Sequence, residues 1–187
     1  MLPVTWLLLA ASLSLQLKTT VVLGLVERDV TGDGKPEILR VVGTGPTIEN
    51  LDAVFTIESA GRTLYRYRLA PLTRTVGFDG GRQVISPEQH RARLKEFGPW
   101  FFGAEKFQRP AEFVESLRVM ARLSVPEIPN VIADDQEASD PRDGSEIWDE
   151  ILTSRATVFT FSPGGDRIEA IGWSERAGRF YRLLECC

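Results

Sequence analysis

The sequence predicts an α+β protein with a largely antiparallel sheet. Three observations lead there. Apolar and polar residues alternate from about residue 19 to residue 70, and again from about residue 156 to the end. The middle of the chain switches to helical spacing. Turn residues, chiefly Gly with Pro, Asp or Ser, punctuate both alternating regions. Strands, then helices, then strands is the order of an α+β domain.

The elements follow in order. "TTVVLGLVER" and "EILRVVGTG" read as strands on either side of "RDVTGDGKPE", and Gly45 with Pro46 predicts a break after the second. "LDAVFTIESAGRTLYRYRLA", residues 51–70, alternates through Val54, Phe55, Ile57, Leu64, Tyr65, Tyr67 and Leu69, with "SAGR" as a hairpin turn. "FDGG" at 78–81 is a further turn. Ser86 as N-cap, Pro87 at the first helical position and Glu88 behind it open a helix over "SPEQHRARLKEF". In "RPAEFVESLRVMARL" the spacing of Phe113, Val114, Leu117, Met120 and Leu123 builds one helix face, and Pro126 and Pro129 end it. An acidic, mobile link is expected at 133–146, then a short helix at "SEIWDEIL". "ATVFTFS", "RIEAIGWS" and "RFYRLLEC", joined by "PGGD" and "ERAG", form a three-stranded meander.

The chain has 187 residues, 43% apolar and 26% charged, which suits one globular domain over 17–187. The net charge is −4 and no basic patch occurs, which excludes a nucleic-acid partner. "MLPVTWLLLAASLSLQ", residues 1–16, reads as a signal peptide cut after Ala10 to Ser14, although no Lys or Arg precedes its apolar run. That run is too short to span a bilayer, so the mature chain is expected in the periplasm or outside the cell, with no transmembrane span. Cys186 and Cys187 are the only cysteines, so no disulfide framework is expected. Adjacent thiols at a chain end stay unpaired or bridge two molecules.

"DVTGDGKPE" is the stretch with a chemical accent. Side-chain oxygens recur at Asp29, Thr31 and Asp33, Gly34 permits a sharp curl, and Glu37 follows. Lys35 can add its carbonyl. Ca²⁺ takes six to eight oxygens of this kind. The stretch is no EF-hand, because position 12 is Arg40 and both flanks are strand-like. Over about ten residues "DVTGDGKPEI" resembles the calcium loop of FG-GAP and VCBS-type repeats, commonly written "DFNGDGKPDL". That resemblance implies a Ca²⁺ loop between two strands, with Asp29, Thr31, Asp33, Lys35 and Glu37 as ligands. Thr31 stands where those loops carry Asn or Asp, and Glu37 where they carry Asp. The alternative is a plain acidic turn of Asx type.

The remaining candidates are few. His90 is the only histidine and reads as an exposed helix residue beside Gln89 and Arg91. No nucleophile elbow accompanies it, so no catalytic residue is assigned. Asp149 and Glu150 beside Trp148 offer paired carboxylates, or a helix edge in water. Trp100, Phe101, Phe102 and Phe107 in "GPWFFGAEKF" offer an aromatic binding surface, or a plug for the core. The expectation is an exported binding module with a structural Ca²⁺ loop. Its partner would be a protein, an envelope component or a glycan. A secreted hydrolase using paired carboxylates is the alternative, and a structural envelope protein linked through Cys186 and Cys187 a third.

Overall fold

The computed structural model describes residues 18–74, 84–121, 132–133 and 144–186. It is an α+β fold with two five-stranded antiparallel sheets. The first sheet places β1 (Thr19–Arg28), β2 (Glu37–Thr47), β3 (Asn50–Ser59) and β4 (Arg62–Arg68) side by side in chain order. A two-residue β5 (Leu72–Thr73) also pairs with β3. Then come α1 (Pro87–Phe101), β6 (Phe107–Gln108), α2 (Pro110–Ala121), β7 (Ile132–Ala133) and α3 (Gly144–Thr153). The predicted meander closes the chain as β8 (Val158–Gly164), β9 (Arg167–Ser174) and β10 (Arg179–Cys186). The second sheet runs β6-β8-β9-β10-β7.

The inner faces of the two sheets share one aromatic core. Phe55 sits at its centre, with ring centroids of Phe101, Phe159 and Phe161 each 5.4 Å away and Tyr65 at 5.8 Å. Such rings bury the most apolar area per residue, and truncating one costs about 3–5 kcal/mol. The second sheet's other face is covered by α2 and α3. There Phe113, Leu117, Ile147, Trp148 and Ile151 meet Val158, Ala170, Tyr181 and Leu183. At one edge of the interface Tyr67 donates to the fully buried Glu169 at 2.5 Å, beside Arg167. Burial first, then the Glu169 hydrogen bond and charge, raise the Tyr67 phenol well above its ordinary range.

Several expectations need correction. β2 does not break at Gly45 and Pro46 but runs on to Thr47, and a register shift between Thr44 and Thr47 accommodates the proline, which has no N–H to donate. The first helix runs past the predicted end at Phe97. α1 continues through Pro99 to Phe101, and Phe101 is buried among the core rings. Its start is as predicted: the Ser86 hydroxyl accepts from the Gln89 N–H at 3.2 Å, and the Gln89 side chain accepts from the Ser86 N–H at 2.9 Å. α1 crosses β1 where two glycines meet; a Cβ on Gly24 would lie 2.8 Å from the Gly98 Cα. The acidic link is shorter than expected, because Ile132 and Ala133 pair with β10 and Gly144 already opens α3.

The expected leader at 1–16, the expected turn at 78–81, Leu123, Pro126, Pro129, residues 134–143 of the expected link and Cys187 lie outside the described residues. Among the described residues no helix is long and apolar enough to cross a membrane.

Candidate functional site

Residues 29–36 join β1 to β2. Gly32 and Gly34 turn left-handed there, at φ +80° and +86°. The acids of the loop hold backbone amides. Asp29 accepts from Gly32 N–H at 2.7 Å on one oxygen and from Gly34 N–H at 2.9 Å on the other. Asp33 accepts from Lys35 N–H at 2.8 Å. Glu37 opens β2 and turns inward, with only 1% of its surface exposed. Its Oε2 accepts from the amides of Val30 (2.9 Å) and Thr31 (3.3 Å), and its Oε1 from the Thr31 hydroxyl at 3.2 Å.

The loop is also docked on the chain leading into β8. Val30 inserts fully into the core. Its carbonyl accepts from Thr157 N–H at 3.1 Å, and the Thr157 hydroxyl donates to the Asp29 carbonyl at 3.3 Å. A Cβ on Gly32 would lie 2.6 Å from the Arg155 carbonyl carbon, so only glycine fits.

Beside the loop lies a cleft of about 470 Å³. The loop lines it with Thr31, Asp33 and Glu37. The β3–β4 turn adds Ser59, Ala60 and Arg62, with Leu64 behind, and β9 adds Trp173 and the following Glu175. The half-buried Trp173 ring rests edge-on against Phe180 at 5.1 Å. The turn carrying Glu175 is held from α3, where Glu150 accepts from the Ser174 hydroxyl at 2.9 Å and the Arg176 N–H at 3.0 Å. Ala60 takes a positive φ of 48°, which is rare for a residue with a side chain.

The predicted loop residues therefore stand together at one end of the two sheets. The aromatic residues stand elsewhere. Phe101 is buried, Phe102 and Phe107 pack half-buried on the core, and Trp100 is 38% exposed. His90 is buried, not exposed, because α1 lays it against the β2–β3 connection, where Nε2 lies 3.2 Å from the Ile48 carbonyl. Desolvation holds its imidazole below the ordinary histidine range, and the Ile48 bond opposes that only in part. Asp149 faces solvent, Trp148 belongs to the core under α3, and Glu150 clamps a turn, so the paired acids share no cleft.

Arg62, Trp173 and Glu175 were not singled out from the sequence. One signal was available. In an antiparallel meander alternate connections fall at the same end, so the β1–β2 loop and the "SAGR" turn had to be neighbours. That β9 would bring Trp173 to the same end required the sheet-on-sheet packing. Comparison with known protein families, curated proteins and solved structures finds no match to this chain.

The donor types of the loop suit a hard cation: two aspartates, a hydroxyl, a carbonyl and a glutamate. Each Asp29 oxygen accepts one amide and keeps a lone pair, and Glu37 Oε1 is engaged only by a rotatable hydroxyl. Among the described residues no three acidic, histidine or cysteine side chains already converge on one point. The set fits Ca²⁺ in kind, and in this arrangement its oxygens serve backbone amides.

Proposed function

We propose that the protein is an exported binding module whose 29–37 loop takes Ca²⁺ as a structural ion. Asp29, Thr31, Asp33, the Lys35 carbonyl and Glu37 would hold it. The ion would offset the repulsion among three nearby carboxylates and lock the first hairpin against the second sheet. The observation that carries the reading is the D-x-T-x-D-G-x-x-E spacing between two strands, with both glycines left-handed. The cleft beside the loop supports a binding role over a catalytic one. Its acids stand with an arginine and a tryptophan, and its Thr31–Glu37 hydroxyl–carboxylate bond belongs to the loop, where the same carboxylate also holds two amides. The apolar, leader-like run at 1–16 is consistent with export, into a compartment where free calcium exceeds that of the cytosol.

The test is a thermal melt in excess Ca²⁺ and in chelator, beside Asp33→Ala. Calcium at a hundred times its dissociation constant adds about 2.7 kcal/mol, a rise of several degrees for a chain this long. A rise in the parent that disappears in Asp33→Ala supports the ion. Identical melts reduce the loop to an amide-capped turn.

A further inference from the structure

We propose that the cleft walled by Arg62, Trp173, Glu175 and the 29–37 loop binds a neutral carbohydrate. One pyranose ring lies against Trp173, with its hydroxyls on Arg62, Asp33 and Glu175. The proposal deepens the binding-module reading and rests on it only in that the chain binds a ligand; no calcium is required. The volume of about 470 Å³ lies within the range of small-ligand pockets.

Charge decides the ligand class. Some opposite charges elsewhere pair, as Arg40 with Glu58 at 2.7 Å and Arg91 with Glu49 at 3.1 Å. In the cleft they stand apart. Among the described residues the side chains of Arg62 and Glu175 make no hydrogen bond or ion pair, and Asp33 bonds only the Lys35 amide of its own loop. An anion in this space would meet Asp33 and Glu175, and a cation would meet Arg62. A hydroxyl satisfies both signs, because it donates to a carboxylate and accepts from a guanidinium. A polyol therefore engages all three groups without itself bringing a charge out of water. Trp173 and Leu64 supply the apolar wall that suits the C–H face of a pyranose.

The walls are also set in advance. Glu150 fixes the turn that carries Glu175, Asp29 and Glu37 fix the loop, and Ala60 is held in a strained conformation at the rim. Ordering the backbone of the site on binding then costs little, and what remains is the cost of fixing the Arg62 and Glu175 side chains.

The full-length protein is titrated with cellobiose, maltose, lactose and diacetylchitobiose, in calcium and in chelator, while tryptophan emission is followed. Arg62→Ala, Glu175→Gln and Trp173→Phe are run in parallel, each checked for folding by circular dichroism. Saturable binding of at least one sugar, insensitive to salt, is expected. Arg62→Ala and Glu175→Gln should each weaken it about tenfold, and Trp173→Phe should remove most of the emission change. Arg62 and Glu175 are exposed rim residues, so their variants remain folded even where Trp173→Phe disturbs the core. No response to any of the sugars overturns the proposal, as does equal binding by parent and rim variants. A response to a free amino acid in place of the sugars assigns the cleft to a zwitterion and overturns it too. Sugar binding that persists in chelator, with no calcium effect on the melt, removes the ion and leaves the cleft. A calcium-dependent melt without a sugar response does the reverse.

Discussion

Residues 29–36 and residues 60–61 both join antiparallel neighbours of the first sheet, and both wall the same cleft. The first connection is long and tied down. Asp29, Asp33 and Glu37 satisfy amides of the curl, Val30 plugs the core, and Thr157 holds the loop from the segment leading into β8. The second is a two-residue turn with both central residues at positive φ, Ala60 at 48° and Gly61 at 76°. No Asn, Asp or Gly occupies its first position, where such turns favour them, and a Cβ on Gly61 would meet nothing. A long connection stays ordered only if its backbone groups find partners. A short one needs only the right dihedral angles. Function can use both, one wall held by many bonds and the other by strain.

That contrast can be broken most severely at Glu37. Glu37→Ala leaves the buried Val30 amide without its acceptor and opens a hole, and about 3 kcal/mol of stability should be lost in a urea titration. No loss would mean that the loop is held by Val30 and Thr157 alone. Next come the two glycines of the loop. Gly32→Ala meets both an unfavourable φ and the backbone at Arg155, and should cost about 2–4 kcal/mol. Gly34→Ala meets only the unfavourable φ and should cost about 1 kcal/mol. Equal costs would show that docking against residues 155–156 contributes nothing.

Smaller effects sharpen the comparison. At the far end of the sheet the β2–β3 connection is held by α1, through His90 to Ile48 and Arg91 to Glu49. Burial depresses the His90 pKa in the folded state. The folded state thus binds that proton less readily than the unfolded chain. Its contribution is fully present above the unfolded value of about 6.5 and is lost as pH falls below it toward the folded value. The melting temperature of the parent should therefore fall more steeply than that of His90→Gln between about pH 6.5 and pH 5. Parallel curves would show that the ring pays no desolvation penalty. The smallest change expected is a gain: Ala60→Asn suits the first turn position and should add about 0.5 kcal/mol. If instead it lowers sugar affinity without changing the melt, the strained alanine is shaping the cleft wall.

Much of the fold was legible because it is written in local chemistry. Ser86 and Pro87 announce α1, "SAGR" announces its hairpin, "ERAG" divides β9 from β10, and "PGGD" marks the β8–β9 turn although β8 runs on through Pro163 and Gly164. His90 misled because its neighbours Gln89, Arg91 and Arg93 are polar, while its burial depends on a strand connection 42 residues earlier. The aromatic segment was ambiguous for a related reason. Trp100, Phe101, Phe102 and Phe107 carry the same apolar area whether they face a partner or other rings of this chain, and only packing chooses.

The sequence by itself determined the α+β class, the order of the main elements and the oxygen-rich loop, since dihedral preference, hydrophobic period and donor spacing are properties of neighbours along the chain. The tertiary structure decided which acids turn inward, as Glu37 does, and which stay in solvent, as Asp33 does. It also decided that Arg62, Trp173 and Glu175 would stand around one cleft with that loop. The reason is physical. Burial and convergence depend on how two sheets stack, and stacking is set by the summed fit of a whole aromatic core rather than by any short run of residues.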